Sequence, residues 1–312
     1  MGVLLVARDL ETGRQAILKM PRMVVSHDGA AIRRFEHEIE ILRRLRHPRV
    51  PAWLADGTWA GRRVLAIEHV EGLTVSQLIH RRGPLPANAA APIVADVLAA
   101  LHKTHCMQAD DGAPLRLVHR DVSPQNVVVD AQGRGNLIDF GVSTDARFDG
   151  GLDEGHVVGK VGYMAPEVVG GGEIGPQTDQ FAAGIVLWEM LTARRLFRAD
   201  NERATWKNIL RCDVPRLDTN TANAPKAVAD VVARMLDADP SARFHHCADA
   251  SRALFLAAGE VGRARLDTND LTYARQSKAV RAARTVKLRP AKGERAADVT
   301  TGFYLAEGMA AP

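Results

Sequence analysis

No run of apolar residues comes near the length of about 18 that crosses a bilayer, so no membrane partner is expected. The apolar start of the chain, residues 1–8, lacks a basic leader and is too short for a secretory signal; it reads as a β-strand. Cysteine is scarce. The three cysteines, Cys106, Cys212 and Cys247, are far apart. They show neither metal-ligand spacing nor a disulfide framework, which points to a reducing, cytoplasmic setting. Internal repeats are missing, and so is a strong excess of charge. A net charge of +4 gives no reason to expect nucleic acid as a partner. What remains is an ordinary soluble composition, 46% hydrophobic and 25% charged, in a chain of 312 residues. That length suffices for one large domain or two smaller ones.

The apolar pattern changes period along the chain. Residues 4–8 and 15–20 are short strand-like runs on either side of a turn at 9–13. Over 31–46, Ile32, Phe35, Ile39, Leu42 and Leu45 recur at spacings of three and four, the signature of an amphipathic helix. His47-Pro48 ends it, because proline disfavours helix in the residue before it. Two further strands are expected at 50–56 and 63–69. Beyond Gly72 the pattern turns helical, at 74–81, 87–107, 178–192, 202–211, 225–236 and 247–257, around a loop-rich centre at 117–167. The expected fold class is therefore α+β. A small sheet-bearing lobe (about 1–69) precedes a mainly helical one (about 70–257). The remainder, 258–312, is polar, with a basic excess over 263–295; it is expected to be largely disordered, with a short helix near 274–284.

The centre of the chain carries the chemistry. Asp121 precedes Asn126 by five residues, and Asp139-Phe140-Gly141 follows one short hairpin later. Phosphoryl transfer needs hard oxygen ligands for a divalent cation and a carboxylate near the attacking hydroxyl. Asp139 and Asn126 suit the metal role, and Asp121 the base. Either station alone is weak; their order and spacing together are strong. His245-His246-Cys247 is not read as a metal site, since adjacent residues do not easily converge on one ion.

His119-Arg120-Asp121, Asp139-Phe140-Gly141 and Ala165-Pro166-Glu167 resemble the catalytic, metal and segment-end motifs of the protein kinase family. The chain is similar to the bacterial eukaryotic-like Ser/Thr kinases over roughly its first 255 residues. The resemblance implies a bilobal fold with an antiparallel-sheet N-lobe and a mainly helical C-lobe, binding ATP with Mg²⁺ (Mn²⁺ as a substitute). It implies that Lys19 holds the α- and β-phosphates and that Glu38 is its ion-pair partner. Glu36 and Glu40 are rival acids on the same helix. Adenine is then met by Ile17, by Ile67 as gatekeeper and by the hinge 68–70, with Gly2, Leu4, Glu68, Val70 and Val128 completing the nucleotide site. His119 becomes a packing residue beneath Phe140, Asp179 the tie for the catalytic loop, and Arg243 the partner of Glu167. A small-molecule phosphotransferase is the minor alternative, disfavoured by Ala165-Pro166-Glu167, Asp179 and Arg243.

The chain departs from the family pattern at four places. Gly2 matches the last glycine of the phosphate loop, while the first two glycines and the first strand have no counterpart. Either the start is assigned too late, which is preferred, or the lobe is cut short. Ile17 stands where alanine is usual, and the neighbouring Ala16 suggests a local volume exchange. Ser123 replaces the lysine two residues after the catalytic Asp, and Lys160 replaces a threonine that would face it. These last two changes are read together: the cation has crossed the site, making Lys160 catalytic beside Asp121 and Lys19. Residues 146–161 contain no Ser, Thr or Tyr. Only Ser143 and Thr144 are near, so a phosphorylation switch is not expected, and Asp153 or Glu154 would supply a permanent negative charge. The expected activity is Ser/Thr phosphorylation of proteins, with a regulatory partner docking through the tail. A pseudokinase scaffold is the alternative.

Overall fold

The computed structural model describes residues 3–21, 29–141, 143, 160–217, 224–259, 270, 281–288 and 302–307; Gly2, Thr144, Asp153 and Glu154 lie outside this set. The chain divides into two compact units: 1–46 with 51–71 and 272–312, and 47–50 with 72–271.

In the first unit, β1 (Val3–Asp9) pairs antiparallel with β2 (Gln15–Met20). The turn between them is held by the Asp9 carboxylate, whose Oδ1 accepts from the amides of Glu11 and Thr12 at 2.9 and 2.8 Å. Gly13, at φ +67°, closes it in the left-handed region that glycine tolerates. Helix α1 (Gly29–Arg44) follows, then the hairpin β3 (Trp53–Trp59) and β4 (Arg62–Glu68), with β4 against β2. Side chains alternate across a strand, so Ala16, Leu18 and Met20 are buried together with Leu5, Ala7, Val64 and Ala66. Ala16 and Ile17 therefore point to opposite faces. The expected volume exchange between them does not occur, since neighbouring strand residues cannot fill the same space.

Two stretches of the tail depart from the expectation of disorder, while most of 258–312 lies outside the described residues. Residues Arg281–Lys287 and Gly302–Glu307 form strands β8 and β9, so the sheet runs β3-β4-β2-β1-β9-β8. Residues 281–284, expected at the end of a short helix, are extended. Leu288 is 3% exposed within the sheet's core. The sequence hides this because β8 is rich in arginine and lysine and pairs with nothing nearby in the chain except β9.

The second unit is built on helices. It contains β5 (Gly72–Thr74), α2 (Val75–Arg82), α3 (Ala87–His105), β6 (Val127–Asp130), β7 (Gly135–Leu137) and the short α4 (Pro166–Val169). Then come α5 (Pro176–Thr192), α6 (Glu202–Arg211), α7 (Lys226–Met235) and α8 (Cys247–Ala258). Thr74 caps α2 reciprocally with Gln77: its hydroxyl accepts from the Gln77 amide, and its own amide donates to Oε1 of Gln77. In α5 every residue from Thr178 to Leu191 is buried, so this helix is surrounded rather than amphipathic. α8 is tied to α3 by the Ser251 hydroxyl, which donates to the Ala95 carbonyl at 2.7 Å. Gly135 permits the close approach of β7 to α3, since a Cβ there would lie 2.4 Å from the Ile93 carbonyl oxygen. Among the described residues, no helix is long and apolar enough to cross a membrane.

Candidate active site

In the first unit, Lys19 projects from β2 and its ammonium lies 2.6 Å from Oε1 of Glu38 on α1. Glu38 is 2% exposed. The rival acids are engaged elsewhere: Glu36 receives the Arg63 guanidinium at 2.7 and 3.0 Å, and Glu40 lies 3.6 Å from Arg44. Asp56 was not foreseen. Its fully buried carboxylate accepts from Arg43 at 2.7 and 2.8 Å, from Arg63 at 2.9 Å and from the Trp53 indole at 2.8 Å. That cluster clamps α1 to the β3–β4 hairpin and so helps set where Glu38 stands. Leu4 lies opposite Lys19 and Ile17 opposite Ile67 in the sheet register. Opposed residues share a face, so these four gather on the side away from Ala16 and Leu18. The Glu68 amide donates to the Ala52 carbonyl and the His69 amide to the Gln15 carbonyl, which secures the start of the segment 68–70.

In the second unit, the loop 119–126 is pinned from beneath. Asp179 at the start of α5 accepts the His119 and Arg120 amides at 2.8 and 2.9 Å, and His105 Nε2 approaches it at 2.8 Å. Burial by itself would raise the Asp179 carboxyl, but His105 and the His119 amide outweigh it and hold the group below its ordinary value. His105 was missed in the sequence; it is 74 residues from Asp179 and belongs to no local pattern. The His119 ring packs against Phe140, centroids 4.6 Å apart at 69°. Complete burial lowers its pKa and keeps it neutral.

The side chains expected to act in the site are linked to one another at that loop. Asn126 Nδ2 donates to the Asp121 carbonyl at 2.9 Å and to its carboxylate Oδ2 at 2.7 Å. With both donations spent on Asp121, the Asn126 amide oxygen is the atom left to face a cation. Asp121 Oδ1 is buried and has no hydrogen-bond partner among the described residues. The Lys160 ammonium donates to the Ser123 hydroxyl at 2.8 Å and approaches Asp121 Oδ2 at 3.3 Å. Lys160 is held by the single turn at Val161–Tyr163 that follows it. The Tyr163 hydroxyl donates to Glu189 at 2.9 Å, and Arg195 binds both groups.

The hairpin β6–β7 carries the chain from Asn126 to Asp139, with Val128 buried within β6. The Ile138 amide donates to the Asn126 carbonyl at 2.9 Å, locking the two stations in register. Asp139 and Arg120 both adopt left-handed backbone, φ +67° and +65°, which costs a non-glycine residue about 1–3 kcal/mol each and marks sites where geometry is imposed. Ser143 is 3% exposed and its hydroxyl donates to the His119 carbonyl at 3.4 Å. Below the site, Arg243 grips Glu167 with two parallel bonds of 2.8 Å and stacks on Phe181 at 4.6 Å.

Asn126 and Asp139, tied in register by the Ile138 main-chain bond, are hard oxygen donors of the kind a divalent cation takes, and the unpartnered Asp121 Oδ1 suits a hydroxyl nucleophile. This arrangement in a two-unit α+β fold defines a phosphotransferase of the kinase class. The comparisons agree: the family model for the protein kinase domain matches residues 1–254. The chain belongs to the protein kinase family. It is similar to the Serine/threonine-protein kinase PrkC of Bacillus subtilis, 27% identical over 304 residues that make up 96% of this chain and 45% of that protein. It is also similar to the Probable serine/threonine-protein kinase PknB of Lactococcus lactis, 27% over 231 residues, 74% of this chain and 36% of that protein. A third relative is the Serine/threonine-protein kinase PknL of Mycobacterium tuberculosis, 28% over 236 residues, 76% of this chain and 57% of that protein. The aligned regions thus span 36% to 57% of the length of these relatives.

Proposed function

We propose that the chain is a Ser/Thr protein kinase that transfers the γ-phosphate of ATP to protein hydroxyls. The observation that carries this is the cluster Asp121, Asn126 and Lys160; the Lys19–Glu38 pair and the names of the relatives support the same reading. Asp121 orients the substrate hydroxyl through Oδ1 and takes its proton. Asn126 and Asp139 hold Mg²⁺, or Mn²⁺ in its place, which neutralises charge on the β- and γ-phosphates. Lys19, oriented by Glu38, positions the α- and β-phosphates. Leu4, Ile17, Ile67 and Val128 line the adenine, and the backbone of 68–70 reads its edge. Lys160 takes the role of the absent lysine at position 123, placing a cation where charge builds on the transferred phosphoryl group. Preference for Ser/Thr over Tyr is supported by the Pro124-x-Asn126 spacing. The unpaired cysteines are consistent with a cytoplasmic enzyme.

The test is transfer of labelled phosphate from Mg-ATP to the chain itself and to a basic generic protein substrate, wild type against Asp139→Asn. Transfer by wild type that is lost in the variant is expected. A folded wild type that binds Mg-ATP yet transfers nothing would establish the pseudokinase alternative.

A further inference from the structure

Three separate observations tie the tail to the rest of the chain. Asp270 is 2% exposed and paired with the guanidinium groups of Arg81 and Arg82 on α2. Leu288 is 3% exposed and shares a core with Leu5, Leu18 and Met20. Strand β9 pairs antiparallel with β1, placing Leu305 opposite Ala7, Tyr304 opposite Arg8 and Phe303 opposite Asp9. β8 then closes the sheet on the outside through pairs from Arg281–Glu307 to Lys287–Gly302.

Strand β1 has two edges. One meets β2 in six consecutive pairs, among them Leu4 with Lys19. The other, without β9, would present a row of unpaired amides and carbonyls to water, the feature that makes an edge strand recruit other chains. The tail covers the Ala7–Asp9 end of that row. The strand that ends the sheet, β8, carries Arg281, Arg284 and Lys287 in seven residues. Among the described residues the sheet ends at β8, and charge of one sign in the sequence of an outermost strand discourages further pairing.

We propose that β8 and β9 are an intramolecular docking element: β9 caps the Ala7–Asp9 end of the outer edge of β1, and the pair holds the Lys19-bearing sheet in the form that binds nucleotide. The occupant of the β1 edge is this chain's own C-terminal segment. The nucleotide half of the proposal rests on the kinase function above; the docking half does not. The family match ends at residue 254, so a chain cut there keeps every motif and loses both β9 and Leu288.

The experiment uses the full chain with a specific protease site inserted after Arg275. After cleavage, the C-terminal fragment is expected to co-elute with the remainder in monomer-sized fractions and to leave affinity for fluorescent Mg-ATP unchanged. In the same background, Leu288→Asp should release the fragment, expose the β1 amides to hydrogen exchange and lower nucleotide affinity several-fold. Its helical circular dichroism should persist, because Leu288 packs in the sheet. Two results would overturn the proposal: a fragment that dissociates while Mg-ATP binding stays intact, or retention only in dimer-sized fractions, which would seat the hairpin on a second copy. If the uncut chain binds no Mg-ATP while the fragment remains docked, the kinase function fails and the docking stands.

Discussion

The Lys160 ammonium lies 2.8 Å from the Ser123 hydroxyl and 3.3 Å from the Asp121 carboxylate. Two of the positions at which the chain departs from the family pattern are thus in direct contact, as the proposed exchange of a cation across the site requires. Lys160→Met should lower kcat about 10²-fold with little change in the KM for ATP, the scale of removing one donor aimed at developing charge. The exchange variant Ser123→Lys with Lys160→Thr should recover most of that loss. Steady-state kinetics on the three proteins decides it, since two unrelated substitutions would give no recovery.

Lys19 chooses Glu38 from three acids on α1, at 2.6 Å. Glu38→Gln should reduce kcat/KM for ATP by roughly 10²-fold through misplacement of the lysine. Glu40→Gln should leave it near wild type, because Lys19 pairs with Glu38 while Glu40 lies 3.6 Å from Arg44. Nucleotide titrations with both variants separate the two acids.

His119 is fully buried and its pKa is depressed below the usual 6.5. The unfolded chain therefore takes up a proton near pH 6.5 that the folded one refuses. Stability is complete above that pH and declines as pH falls towards the folded value, with a limiting slope of about 1.4 kcal/mol per pH unit for this one group. His47, depressed chiefly by burial, acts with the same sign. Thermal melts between pH 7.5 and 5.5 should show a shallower decline for His119→Phe than for wild type (pH bounds roughly one unit either side of 6.5). An unchanged slope would show that His119 is not the group responsible.

The Arg243–Glu167 pair is buried, with 0% of the arginine side chain exposed. Arg243→Ala leaves the Glu167 carboxylate without its bidentate partner and should cost about 3–5 kcal/mol in denaturant unfolding. Arg243→Lys should recover only part, because an ammonium cannot make two parallel bonds while stacking on Phe181.

Much of this protein is legible locally. The helices at 202–211 and 247–257 coincide with α6 and α8 to within a residue, because their apolar spacing is set by neighbours three and four positions away. The stations Asp121, Asn126 and Asp139 are legible because metal and proton chemistry admits few residue types at few spacings. His105 and Asp56 left no such trace. Each is an ordinary helix-end or strand residue until a distant element arrives to make it the partner of Asp179 or the clamp for Arg43 and Arg63.

The sequence by itself determined the class of chemistry and the order of the two lobes, since motif spacing and hydrophobic period are properties of short stretches. Only the tertiary structure decided that Ala16 cannot compensate for Ile17, that Lys160 reaches Ser123, and that a basic tail becomes the edge of a sheet. Those outcomes depend on which strands and loops meet after the chain closes on itself. Main-chain pairing between β1 and β9, some three hundred residues apart in the chain, carries almost no side-chain signature to announce it.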